Sequence, residues 1–148
     1  MAAEPDDQYP LSANEWPVGF EADPLEFKVT PELNQQNLFA QEDFDPRYIE
    51  GGPTGQGIVH PSLLLNMSNT TRSPSYRLHA GIGGLHAREE TTFLKSPAVG
   101  DIFTVNWTVV ERYTKRDRPY AVVEVVVTNG DGEPVMKRLA HETYTFGN

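Results

Sequence analysis

The sequence predicts an α+β domain in which a curved antiparallel sheet wraps around one buried helix. Three observations carry this expectation. Residues 85–146 fall into four long runs with a period of two, the pattern of half-buried strands. The stretch before them holds a single strongly apolar helical segment, which is then the one visible cover for the sheet's apolar face. With 148 residues, 38% of them hydrophobic and 10% aromatic, the chain is long and apolar enough to build one real core.

Charge is unevenly placed. The net charge is −9, and Met1 to Pro24 contributes six acidic residues, no Lys or Arg, and four of the twelve prolines. Prolines at that density exclude a helix or a central strand. Residues 1–26 are therefore expected to be an acidic, Pro-rich extension on a single domain of residues 27–148. Trp16, Val18 and Phe20 alternate, so this extension can lie on the domain surface as a partly ordered arm, or serve as a lid or dimer arm.

From Thr30 the chemistry changes. Thr30 can cap a helix whose first position is Pro31 and whose Glu32 suits the positive helix end, with Leu33, Leu38 and Phe39 as a partial apolar face fading near Glu42. Asp43 to Gly57 is a connection rich in Gly and Pro that demands irregular backbone. The buried helix follows, about Pro61 to Ser68, apolar on more than one side through Leu63, Leu64, Leu65 and Met67. Strands are expected at Leu85–Leu94, Asp101–Tyr113, Pro119–Thr128 and Pro134–Phe146. The clearest places Phe103, Val105, Trp107 and Val109 on one face. Ser96–Gly100, Lys115–Arg118 and Asn129-Gly130-Asp131-Gly132 supply the turns.

Composition excludes several chemistries. No cysteine is present, which removes disulfides, thiolate metal sites and cysteine nucleophiles. The four histidines, at 60, 79, 86 and 141, lack short metal-ligand spacing, so no metal is expected. Net acidity without a basic cluster argues against binding nucleic acid. No run approaches the roughly 18 apolar residues of a membrane span, and the acidic start is unlike a secretory signal, so a cytoplasmic protein without membrane contact is expected. Gly81 to Gly84 form no phosphate loop. His79 and His86 could enter a pocket or be loop and strand histidines. His141 reads as structural, and Arg88 with Glu90 as solvated or cross-strand pairs.

Four segments resemble the MaoC-like or R-specific enoyl-CoA hydratase branch of the hotdog fold, over roughly residues 27–146. They are Glu42-Asp43-Phe44-Asp45-Pro46-Arg47-Tyr48, Gly57-Ile58-Val59-His60, Phe93 to Asp101, and Thr128 to Val135. The resemblance implies a dehydratase or hydratase acting on an enoyl or 3-hydroxyacyl thioester. CoA or pantetheine would be part of the substrate, and no separate cofactor is implied. Asp43 falls on the family's catalytic aspartate and Asp45 on its asparagine, while Tyr48 replaces its catalytic histidine. Tyrosine, with a reference pKa of about 10, is a poor base there, although it can orient water or donate a proton.

A second departure is Pro61, where the family has Gly and uses a backbone N–H to receive the thioester oxygen. Proline has none, which leaves neighbours such as Ser62 as candidates. The resulting expectation is that Asp43, Tyr48 and His60 are catalytic, with Asp45, Gly57, Ser62 and His86 binding substrate. His60 could equally cap or pack at the helix start. A homodimer is implied, or a heterodimer with a homologous hotdog subunit. Two rival readings stay open: a noncatalytic subunit shaping an active partner's acyl tunnel, and a site repurposed for a non-thioester substrate.

Overall fold

The computed structural model describes residues 11–147. It contains five strands, β1 (Glu21–Lys28), β2 (Ile82–Phe93), β3 (Ile102–Lys115), β4 (Arg118–Thr128) and β5 (Pro134–Phe146), and two helices, α1 (Pro31–Gln41) and α2 (Pro61–Met67). All strand pairs are antiparallel, in the order β1-β3-β4-β5-β2. The apolar face of this sheet closes over α2, as the hydrophobic pattern requires. Leu63 and Leu64 of α2 are buried with Phe103, Val105, Trp107 and Val109 of β3. Each such aliphatic side chain contributes about 1.5–3 kcal/mol on burial.

Both helices begin where the sequence signals place them. The Thr30 side chain accepts a hydrogen bond from the Leu33 N–H at 3.2 Å, and Glu42, in the left-handed region, ends α1. Leu38 is buried and Leu33 half-buried, but Phe39, expected on the same face, is 70% exposed. It packs edge-on against Phe44 at 5.3 Å instead. The C-terminal end of α2 is tied down by side chains from the sheet. Trp107 Nε1 donates to the Ser68 carbonyl at 3.0 Å, and Arg138 Nη1 to that of Leu65 at 3.0 Å. These bonds satisfy carbonyls that a helix end leaves open.

The expected boundary at residue 26 is corrected, because the fold begins well before it. β1 starts at Glu21 and pairs with β3 along its length, with a register shift between Ala22 and Leu25 that takes up Asp23 and Pro24. The strand tolerates its proline because it is an edge strand and the bulge frees Pro24 from donating. The bulge is itself anchored. Asp23 N–H donates to Ser75 Oγ at 2.8 Å, and Ser73 Oγ donates to the Asp23 carbonyl at 2.8 Å. Upstream, Trp16 is core rather than surface, 2% exposed and stacked on Phe20 at 4.8 Å, while Val18 points out. Arg112 clasps this segment by donating to the carbonyls of Trp16 and Asn14. Residues 1–10 of the expected extension lie outside the described residues.

The connection from α1 to α2 is irregular, as its glycines predict. Gly57 has φ +105°, and a Cβ there would run into the Tyr48 carbonyl. Its N–H donates to Gly51 O at 2.9 Å and its carbonyl accepts from Val99 N–H at 3.0 Å, which seats the loop on the turn before β3. Gly55 also has a positive φ, +71°, but faces open space. Gly57→Ala should therefore destabilise the fold by at least about 2 kcal/mol in urea unfolding, against about 1 kcal/mol for Gly55→Ala, which meets only the backbone penalty.

Candidate functional site

Three segments meet at the start of α2: α1, the loop after it and the residues that open α2. Their junction is organised by Asn34, on the same face of α1 as Leu38 and 1% exposed. Its Nδ2 donates to the carbonyls of Tyr48 at 2.9 Å and Ile58 at 3.2 Å, and its Oδ1 accepts from His60 N–H at 3.0 Å. One amide thus satisfies three main-chain groups of an irregular, partly buried segment.

His60 is the N-cap of α2, and its ring is held on both sides. Ser62 N–H donates to Nδ1 at 3.2 Å, so that nitrogen carries no proton. In the neutral ring the proton then sits on Nε2, which faces Asp43 Oδ2 at 3.0 Å. Ser62 Oγ is also within 2.8 Å of Nδ1 and accepts from Asn37 Nδ2 at 2.9 Å, so its own hydrogen is directed to the imidazole. The result is a directed chain, Asn37 to Ser62 to His60 to Asp43. His60 is largely buried, with its side chain 12% exposed, and Asp43 is open to solvent at 40%. Tyr48 leans on the imidazole, ring centroids 4.7 Å apart and planes at 51°. Beside the carboxylate, Phe39 and Phe44 present an exposed aromatic pair.

The structure thus brings together Asp43, Tyr48, His60 and Ser62, and separates them from other residues named from the sequence. Asp45 caps the short turn Pro46–Tyr48 by accepting from Arg47 N–H at 3.0 Å. That bond, with the Arg47 side chain at 3.1 Å, holds its carboxyl below the usual range. Gly57 is buried with both backbone groups engaged, a structural position. The Ser62 N–H, expected as a substitute donor for a thioester oxygen, is taken by His60. His86 lies on β2, pairs with Glu89 at 3.0 Å and lines a different cavity. His79 approaches Glu15 at 3.5 Å on the surface, and His141 accepts from or donates to the Tyr113 hydroxyl at 2.8 Å. Arg88 and Glu90 pair along β2 rather than across strands. Asn34 and Asn37 were not singled out by the sequence reading. Their signal was a polar residue on the buried stripe of a helix, four positions before Leu38 for Asn34.

A cavity of about 630 Å³ opens between the C-terminal end of α2, β2 and β5. Its floor carries Glu142, 9% exposed, whose carboxylate accepts from the Tyr144 hydroxyl at 3.3 Å. Burial pushes the Glu142 carboxyl above its ordinary value, more than its hydrogen-bonding neighbours and the charges of His86 and Arg138 pull it down. Burial and the nearby Glu142 likewise raise Tyr76 and Tyr144. Burial also raises Glu89, but the hydrogen bonds from Arg138 and Thr91 outweigh it and leave this carboxyl below its ordinary value. Arg138 is 3% exposed and grips Glu89 with Nε and Nη2.

No family model matches the sequence, and no curated protein matches it. Solved structures do resemble the fold. An R-hydratase from Pseudomonas aeruginosa superposes with a TM-score of 0.71 at 17% identity, covering 88% of this chain and 87% of that one. A MaoC-like dehydratase from Rhodospirillum rubrum gives 0.68 at 19% identity, over 93% and 98%. The ChsH1-ChsH2 complex from Mycobacterium tuberculosis gives 0.64 at 16% identity, over 87% and 98%. At such identities the likeness establishes the fold. The chain is a hotdog protein, an antiparallel sheet wrapped around a central helix.

Two outcomes follow. Asn34→Ala strands three main-chain groups and should cost about 3 kcal/mol in urea unfolding, with loss of the His60 amide's protection from hydrogen exchange. For Glu142 the sign follows from its raised folded-state pKa. Its contribution is fully present below the unfolded value and is lost as pH rises through the folded one. The wild type should therefore lose stability relative to Glu142→Gln from the ordinary carboxylate range, near 4.5, toward neutral pH. Thermal melts of the two proteins across that window check this. Glu89, shifted the opposite way, is common to both and cancels in the difference.

Proposed function

We propose that the protein is a hydro-lyase acting on an enoyl or 3-hydroxyacyl thioester, with Asp43 as its acid-base group and His60 as the group that holds it. The observation that carries this reading is the 3.0 Å contact from His60 Nε2 to Asp43 Oδ2. The resemblance assigns a carboxylate–imidazole pair to residues 43 and 48, and Tyr48 breaks that pair. His60 restores it from the start of α2. The hotdog fold, with hydratases and dehydratases among its structural neighbours, supports the class of reaction.

In the hydration direction, Asp43 takes a proton from water as the water oxygen bonds to the β-carbon of the enoyl group. The carboxyl then returns that proton to the α-carbon, so the enzyme ends as it began. His60 fixes Oδ2. Oδ1, which accepts a bond from Asp45 N–H at 3.3 Å, has a second lone pair for the water. Tyr48, against the imidazole, orients the water or the substrate. The exposed Phe39 and Phe44 offer apolar contact to the substrate or to a second subunit. Pro61 and Ser62 supply no amide for the thioester oxygen, because one has no N–H and the other donates to His60.

A homodimer fits this reading. β2 is a long edge strand whose Leu85 and Phe93 are about half exposed, and an open edge invites pairing. The ChsH1-ChsH2 neighbour is a complex of two named components, and this supports a second reading in which the chain is a noncatalytic subunit of a heterodimer. No helix among the described residues is long and apolar enough to cross a membrane. A cytoplasmic location remains part of the proposal.

The test is a screen of purified protein against trans-2-enoyl thioesters of several chain lengths, following loss of the conjugated absorbance. Asp43→Asn should lower kcat at least about a hundredfold with the fold intact, the low end for a positioned acid-base group. His60→Gln should lower it to a similar extent, because the carboxylate loses its anchor, whereas Tyr48→Phe should cost less than tenfold if the ring's packing is its main contribution. Turnover unaffected by Asp43→Asn would falsify the assignment. A wild type without turnover, monomeric in light scattering until mixed with a homologous subunit, would move the chain to the noncatalytic reading.

A further inference from the structure

The polar cavity at the other end of α2 is left unexplained by the Asp43–His60 chemistry. A seven-residue helix rising about 1.5 Å per residue puts its two ends roughly 10 Å apart, so Glu142 is not part of that pair. The lining poses a charge problem. Arg138 is its one Arg or Lys, and every guanidinium nitrogen is committed: Nε and Nη2 to Glu89, Nη1 to Leu65 O and Ser68 Oγ, and Nη2 also to Asn69 Oδ1. His86 is engaged by the same Glu89.

Glu142 is left with the hydroxyls of Tyr144 and Thr70 for company and no cation in contact, which is costly for a carboxyl this buried. A second group points the same way. Thr70 Oγ1, from a residue only 4% exposed, lines the same cavity beside the Glu142 carboxylate and finds no partner other than that carboxylate. A buried carboxyl that faces a cavity with only hydroxyls beside it is rare enough to call for an occupant.

The lining also selects the kind of occupant. An anion meets no uncommitted cationic donor among the lining residues. A purely apolar chain would leave Thr70 and Glu142 as they are. A bare metal ion is much smaller than a cavity of about 630 Å³, and no three His, Asp or Glu side chains converge to hold one among the described residues. An ammonium group has three N–H donors and one positive charge, and finds acceptors in a carboxylate and neighbouring hydroxyls. Leu65, Leu85 and Ala140 give an alkyl tail an apolar wall.

We infer that this cavity binds a small organic cation, a protonated primary amine whose ammonium group pairs with Glu142 and donates to Thr70 Oγ1 and a tyrosine hydroxyl. The phenol rings of Tyr76 and Tyr144 add their electron-rich faces to the cation's surroundings. The site is independent of the thioester reading and stands or falls separately from it.

The experiment is an amide NMR titration of the full chain with n-butylammonium chloride, at constant ionic strength, with n-butanol and sodium butyrate as neutral and anionic controls. Saturable shifts at Thr70, Tyr76, Gly84 and Glu142 with the ammonium alone are expected. Glu142→Gln should weaken binding at least about tenfold, since a buried charge pair loses one partner. Thr70→Val, which keeps the side chain's shape, should weaken it severalfold and serves in place of Glu142→Gln if that variant does not fold. The inference is overturned by an absence of saturable shifts, by an equal response to n-butanol, or by affinity that survives both substitutions.

Discussion

The side-chain amide of Asn34 is the interaction on which the arrangement around Asp43 depends. The chain between α1 and α2 has no ladder to satisfy its backbone, and it must still end with His60 in one orientation. Asn34 supplies two donors and one acceptor to Tyr48, Ile58 and His60, all within 3.2 Å. No apolar residue could do this, and Asp would present an oxygen to two carbonyls. Because α1 is capped at Thr30 and packed through Leu38, the amide sits on a rigid element, and that rigidity passes to the loop.

His60 both caps a helix and orients a neighbouring carboxylate. As the N-cap it accepts from Ser62 N–H, and that bond decides which ring nitrogen keeps the proton. The capping requirement therefore directs Nε2–H toward Asp43. The same bond engages the Ser62 N–H, so that amide is not free for another acceptor. Pro61, beside it, has no N–H to offer.

The layered fold was legible in the sequence because its signals are local. Thr30-Pro31, the apolar run after Pro61, and the period of two through β3 to β5 each lie within a dozen residues of one another. β1 was hidden because prolines argued against a strand, and only its place at the sheet edge, with serines 73 and 75 closing the bulge from elsewhere in the chain, makes Pro24 harmless. Asp43, Tyr48 and His60 were found through the resemblance, but their geometry was not. Nothing in the spacing of 43 and 60 says that the two side chains meet at 3.0 Å. Phe39 was misplaced because a weakly amphipathic helix has no sharp apolar face, so its edge could not be drawn from the pattern.

The two ends of α2 draw opposite solutions from the same problem of burying polar groups. At its start, Ser62, His60 and Asp43 are joined by hydrogen bonds, which makes the imidazole–carboxylate pair directional. At its far end, Arg138 spends all its hydrogen bonds on Glu89, the helix carbonyl and neighbouring side chains, and so holds α2 to β5 without neutralising Glu142. An arginine that closed on Glu142 instead would have to give up some of these acceptors, because each of its guanidinium nitrogens is already committed. The carboxyl without a cation beside it is thus the counterpart of a well-tethered helix. It follows that mutations relieving Glu142 of its charge should leave the Asp43–His60 pair in place, since the tether that positions α2 runs through Arg138 and does not involve Glu142.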